Sequence, residues 1–68
     1  MNYIVIEQQT TNGTTAIVTP TVYDNKIQAE ADFLTRCAYA RLSGLDCHSV
    51  ALLDQTGKLV ARKKFPDD

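Results

Sequence analysis

One segment of this chain is suited to a long helix, and a strand–turn–strand segment lies on either side of it. Asp24 or Asn25 can cap this helix at its N-terminus. The helix is expected to run to about Leu42 or Ser43, where Gly44 provides a natural C-terminal stop. The predicted element order is therefore strand, strand, helix, strand, strand, which leaves few alternatives for the fold.

Both flanking segments carry the residue types of β-hairpins. The sequence Asn12-Gly13 tolerates positive φ and marks the first turn, and Gly57 marks the second. Pro20 cannot donate to a β-ladder, so its strand is expected at a sheet edge or to break there. The predicted strands are 3–9, 15–23, 49–54 and 59–65.

This order predicts a single α+β domain that covers residues 1–68. Two hairpins joined by a crossover helix form one four-stranded, mainly antiparallel sheet, and the helix packs on one face of it. The favoured spatial order of the strands is 2-1-3-4, because this order keeps every neighbouring pair antiparallel and leaves the second strand at an edge.

The helix has an apolar arc wider than one sheet face requires. At about 100° per residue, three strips of side chains can be distinguished along it. The most continuous apolar stripe is Ile27, Ala31, Leu34, Ala38 and Leu42. A second apolar stripe beside it is Ala29, Phe33, Cys37 and Ala40. The polar strip is Gln28, Asp32, Thr35, Arg36 and Tyr39. Glu30 and Arg41 interrupt the apolar arc, which indicates that part of it reaches a rim.

Several strands are continuously apolar rather than alternating, although a single helix covers only one face of the sheet. Ile4 and Ile6 point to one face, and Tyr3 and Val5 point to the other. An uncovered apolar face of this size predicts a homodimer, since closed two-fold dimers are the commonest oligomers. The alternative is that Val and Ala on an open face simply reflect strand propensity. The predicted interaction surface is Tyr3 and Val5 on the uncovered face, with Phe33 and Cys37 as a second patch.

The residue types that carry chemistry are sparse and poorly arranged. Cys47 and His48 are adjacent at a strand start, so they should point to opposite sides and cannot form a thiolate–imidazole pair. The ligand candidates Cys37, Asp46, Cys47 and His48 lack the spacing of a metal site. We therefore predict no catalytic residues, no metal and no cofactor, and expect the protein not to be an enzyme.

A basic cluster of Lys58, Arg62, Lys63 and Lys64 lies in the last hairpin. Such a strip can contact phosphates, and Tyr3, Tyr23 and Phe65 offer rings for base stacking. The interpretation that we favour is protection of an edge strand against aggregation, because the formal net charge of the chain is −1 and Asp67 and Asp68 follow at once.

The expected location of the protein and the redox state of its cysteines follow from the lack of targeting and membrane-spanning segments in the sequence. The N-terminus has no basic region followed by an apolar run of signal-peptide length, and no stretch approaches the roughly 20 apolar residues that span a bilayer. We expect no membrane association and a cytoplasmic location. Reducing conditions there make a disulfide between Cys37 and Cys47 unexpected.

The helix and the second hairpin resemble a known group of sequences. Its members show an alanine-rich helix with one aromatic residue, a His-Ser-Val-type strand, and the pattern LLD-x-x-G-x-x-V. The matching residues here are Ala31, Phe33, Ala38, Ala40, His48, Ser49, Val50, Leu52, Leu53, Asp54, Gly57 and Val60. Over residues 29–62 the chain resembles small uncharacterised proteins of phages and integrated mobile elements from gut-dwelling Gram-positive bacteria. The resemblance implies a mobile-element origin and a compact α+β domain, and it carries over no functional residues.

The leading hypothesis from the sequence is a small, non-enzymatic, homodimeric module with a structural or protein-interaction role and an unidentified protein partner. The alternative is a nucleic-acid-binding accessory protein that uses the basic residues of the last hairpin.

Overall fold

A computed structural model describes residues 1–66 of the chain and confirms the predicted ββαββ order and the α+β fold class. Asp67 and Asp68, which follow the predicted fourth strand, lie outside the described residues. The elements are β1 (Tyr3–Thr11), β2 (Thr14–Tyr23), α1 (Lys26–Leu42), β3 (Cys47–Asp54) and β4 (Leu59–Phe65). The first hairpin and β3 are slightly longer than the sequence predicts, and β3 begins at Cys47 rather than Ser49.

The four strands form one antiparallel sheet in the order β2-β1-β3-β4, as predicted. The first hairpin turns through Asn12 and Gly13, whose φ angles of 52° and 79° fit a two-residue type I′ turn. β2 lies at an edge, and the pairing of β1 with β2 shifts register opposite Ile6, where Thr19 and Pro20 together face one residue. Pro20 is tolerated because a bulge at an edge strand needs no ladder donor from it.

The helix begins and ends at the residues that the sequence indicates. The Asn25 side chain accepts hydrogen bonds from the backbone N–H groups of Ile27 and Gln28, at 2.8 and 3.2 Å. At the other end, Ser43 is the C-cap and Gly44 follows with a φ of 69°. The helix packs mainly against β3 and to a lesser extent against β1. The buried hydrophobic core that results is Val5, Ala29, Phe33, Cys37, Ala40, Val50, Leu52 and Phe65.

The helical stripe that packs on the sheet is the shorter of the two predicted ones. Ala29, Phe33, Cys37 and Ala40 are buried, whereas the more continuous apolar stripe lies exposed to solvent. Part of the predicted polar strip, Asp32 and Arg36, also turns towards β1 and β2. The helix is thus rotated so that its polar strip reaches the β2 side of the sheet and its large aliphatic residues point away.

Candidate functional site

The sheet face that α1 leaves uncovered is apolar at its centre. Val5, Val50 and Leu52 are buried beneath the helix, so their strand neighbours point to the opposite face. The apolar residues of this open face are Ile4, Ile6, Ala51 and Leu53 at the centre and Ile17, Val22 and Leu59 towards the edges. The central residues are half-buried by their neighbours, and the edge residues are exposed. The open face therefore resembles the inner surface of a sheet sandwich without its second layer.

Tyr3 and Val5 were predicted on the uncovered face of the sheet, and this prediction is wrong. Val5 lies under the helix with no exposed surface, and Tyr3 packs against the core on the same side. The alternation of Ile4 and Ile6 against Tyr3 and Val5 is correct, but the strand pattern cannot indicate which set the helix covers. Ile4 and Ile6 are the residues that the open face presents.

A second apolar surface runs along the outside of the helix, and we call it the outer stripe. It comprises Ile27, Ala31, Leu34, Ala38 and Leu42, all of them exposed. Its three large side chains are mostly exposed: Ile27 by 77%, Leu34 by 65% and Leu42 by 82%. A 68-residue chain with apolar side chains on the outside of both its layers is unusual for a monomer.

Phe33 and Cys37, predicted as a second exposed patch, are instead core residues. Their small exposed parts line a shallow groove of about 390 Å³ between α1 and β4, with Lys63 and Arg41 beside them. Burial raises the pKa of the Cys37 thiol, and the nearby positive charge of Lys63 only partly opposes this shift. Cys37 is therefore a neutral packing residue rather than a nucleophile.

The predicted basic cluster does not form one surface. Arg62 and Lys64 pair with Ala51 and Ser49 and point to the open face, whereas Lys63 pairs with the buried Val50 and points to the helix side. The rings of Tyr3, Tyr23 and Phe65 all lie on the helix side of the sheet. The cations of the open face are thus separated from every aromatic ring that the sequence offered for stacking.

A continuous polar network fills the space between the helix and the β2 side of the sheet. The Tyr23 hydroxyl donates to Asp32 Oδ2 at 2.7 Å, and Arg36 Nε donates to Asp32 Oδ1 at 3.0 Å. Arg36 also donates to Thr21 at 2.8 Å and lies 3.5 Å from Glu7. The hydrogen bond to Asp32, together with burial and the negative charge of Asp32, raises the pKa of Tyr23.

His48 extends this network to the C-terminal end of the helix. Its Nε2 contacts Glu7 Oε2, and its Nδ1 lies 3.1 Å from the Ser43 hydroxyl. Ser43 Oγ donates its proton to the Ala40 carbonyl at 2.9 Å, so it accepts from His48. His48 thus connects the C-terminal end of α1 to Glu7 on β1.

The order Ser43, His48, Glu7 is superficially that of a hydrolytic triad, but the hydrogen bonds are those of a helix cap. A nucleophilic serine delivers its proton to histidine, whereas this hydroxyl already donates to a backbone carbonyl. The carbonyls at a helix C-terminus also disfavour the oxyanion that acyl transfer creates. The network therefore orients α1 on the sheet.

Sequence reasoning missed this network, although two signals pointed to it. Glu7 is a charged residue on the same strand face as Val5, and Asp32 and Arg36 are an i, i+4 pair. Cys47 and His48 lie on opposite faces of β3, as predicted, while the partner that orients His48 comes from β1. Within residues 1–66, no group of three or more His, Cys, Asp or Glu side chains is placed to hold a metal ion.

The network predicts a specific sensitivity to acid. Burial opposes ionisation of Asp32, but the hydrogen bonds from Arg36 and Tyr23 and the charge of Arg36 outweigh it, so the pKa of Asp32 lies below its usual 3.8. A lowered native pKa contributes stability above the unfolded pKa, and this contribution is lost as the pH falls through the native value. We expect the free energy of unfolding to decrease below about pH 4, and to decrease less in Asp32→Asn.

Urea unfolding at several pH values between 6 and 2 measures this difference. Asp54→Asn is the matched control. The pKa of the Asp54 carboxyl is also lowered, but by the Thr56 hydroxyl and neighbouring backbone N–H groups in the β3–β4 turn rather than by the network. An Asp32→Asn protein with the full acid sensitivity of the parent chain contradicts the assignment.

No family model, curated protein or solved structure matches this chain. Among residues 1–66, no helix is long and apolar enough to cross a membrane.

Proposed function

We propose that the protein is a small, non-enzymatic interaction module that acts in the cytoplasm as a homodimer. The observation that carries this proposal is the pair of apolar surfaces, the open face and the outer stripe, on opposite sides of a thin two-layer domain. Eight hydrophobic residues are buried within the described chain, while ten large ones are exposed, so much of its apolar surface is left for intermolecular contact.

The energetic reason for association is the small size of the core. A domain of this length buries only about 60% of its unfolded surface and is marginally stable alone. Each aliphatic side chain moved from solvent into an interface contributes roughly 1.5–3 kcal/mol. When one of the two surfaces forms the dimer, the other remains for a second protein, and in this sense we propose an interaction module.

Sedimentation equilibrium of the full chain over about 1–100 μM tests the proposal. We expect a particle of twice the 7.5 kDa chain mass, with a dissociation constant in or below the micromolar range that is usual for specific complexes. A folded monomer throughout that range overturns it.

A role in nucleic-acid binding is the second candidate, and it rests on Arg62 and Lys64, which lie on neighbouring open-face positions of β4. Phosphate contacts of this kind weaken steeply with salt. A gel shift with single- and double-stranded oligonucleotides in low salt tests this role. Salt-dependent binding that is lost in an Arg62→Ala, Lys64→Ala double variant favours it over the interaction module, and the absence of binding in low salt removes it.

A further inference from the structure

We propose that two copies of the chain pair through their outer stripes, with the two α1 helices antiparallel about a two-fold axis close to Leu34. This inference deepens the proposed homodimer, and rests on it, by assigning its interface. The stripe occupies one side of the helix over 16 residues, from Ile27 to Leu42, which is about 22 Å of helix length and suffices for a helix–helix contact.

The sizes of the side chains along the stripe are arranged symmetrically. Reading along the helix, large and small residues alternate as Ile27, Ala31, Leu34, Ala38 and Leu42. This pattern is symmetric about Leu34. Antiparallel pairing therefore places Ile27 opposite Leu42 of the second copy, Ala31 opposite its Ala38, and the two Leu34 side chains together at the centre. Helices packed through side chains of these sizes lie roughly 8–10 Å apart.

The charges that flank the stripe select the antiparallel direction. Glu30 and Arg41 are three helical turns apart and nearly in line, on the side of the helix that faces β4. Arg41 lies 6.0 Å from the centre of the Phe65 ring, which fixes this side. Both residues are exposed, and neither has an ion-pair partner within residues 1–66.

A two-fold axis near Leu34 brings Glu30 of each chain to within about 5 Å, along the helix direction, of Arg41 of the other chain. The long side chains span this offset, so two symmetric ion pairs close one rim of the interface. Parallel helices instead bring the Glu30 and Arg41 rim of each chain opposite the uncharged Gln28 and Thr35 of the other, and no ion pair forms.

The open face lacks this complementarity. Its charged residues among the described strands are the cations Arg62 and Lys64, and no carboxylate of these strands shares the face with them. Two open faces in contact offer the Arg62 guanidinium no carboxylate from the described strands of either copy, and its burial costs binding free energy. The outer stripe is the surface whose flanking charges match those of a second copy.

Charge exchange tests the geometry in the full-length chain. Glu30→Arg and Arg41→Glu each replace two attractions with two repulsions in the symmetric dimer, so we expect each variant to raise the dimer dissociation constant at least about tenfold. An equimolar mixture of the two variants regains both ion pairs in the heterodimer and should associate about as tightly as the parent chain. The combined variant with both substitutions should do the same.

Arg62→Glu is the matched control on the open face, and circular dichroism confirms that each variant is folded. The outer-stripe geometry is overturned if the parent chain is a dimer but the mixture of Glu30→Arg and Arg41→Glu does not regain its affinity. It is also overturned if only Arg62→Glu weakens association. In both cases the homodimer itself stands. A monomeric parent chain overturns both proposals. Recovery in the mixture and in the combined variant establishes the antiparallel pairing.

Discussion

Leu52→Ala is expected to lower the free energy of unfolding by about 3–5 kcal/mol, the range for large-to-small substitutions in a rigid core. Leu52 is 1% exposed and is among the largest side chains buried between the sheet and the helix. The stability of a 68-residue domain is of the order of 3–10 kcal/mol, so this single cavity removes a large part of it. We expect the variant to be partly unfolded at 37 °C.

Urea unfolding at a fixed chain concentration measures this loss, because dimer formation makes apparent stability depend on concentration. Leu59→Ala is the matched control, since Leu59 lies at an open-face edge and is 53% exposed. We expect it to cost less than about 1 kcal/mol. Similar losses at the two positions contradict the placement of the core on the helix side of the sheet.

Arg36→Met is expected to have the second largest effect, a loss of about 3 kcal/mol. Arg36 connects Glu7 to Asp32, and all three side chains are less than one-fifth exposed. Removal of the guanidinium leaves two carboxylates in a largely desolvated space and also removes the donor to Thr21. Breaking one partner of a buried pair typically costs 3–5 kcal/mol, and we take the lower end because the network reaches the rim of the sheet.

A compensated variant separates the cost of stranded charge from the loss of packing. Glu7→Gln and Asp32→Asn, added to Arg36→Met, remove the unpaired charges while keeping similar side-chain volumes. We expect this triple variant to regain more than half of the lost stability in urea unfolding. If it is no more stable than Arg36→Met alone, the network stabilises the fold through its shape rather than through its charges.

Much of the fold was predictable because its signals are local. The Asn12-Gly13 turn, the Asn25 cap and the stop at Gly44 each act through the conformation of a few adjacent residues. The position of Pro20 gave the edge strand, and with it the strand order 2-1-3-4. β3 was predicted two residues short because the partners that extend it, Thr10 and Gln9, belong to a strand far away in sequence.

The site was less predictable, because its partners are distant in the chain. Glu7 and His48 are 41 residues apart, and each looks unremarkable in its own segment. The Asp32–Arg36 pair has the spacing of an ordinary solvated helical pair, but the rotation of the helix turns it towards Tyr23 and Glu7. Only the packing of α1 on the sheet converts these residues into one network.

The sequence by itself determined the elements, their order and the excess of apolar side chains over what one helix and one sheet can bury. These properties follow from backbone preferences and from the periodicity of a helix or a strand. The tertiary structure decided which faces are inside. A strand pattern distinguishes Ile4 from Val5, and a helix pattern distinguishes Leu34 from Phe33, but neither pattern fixes which set meets the opposing layer. That choice depends on how the layers fit: Phe33 and Cys37 fill the space above Val50 and Leu52, while Arg36 reaches Glu7.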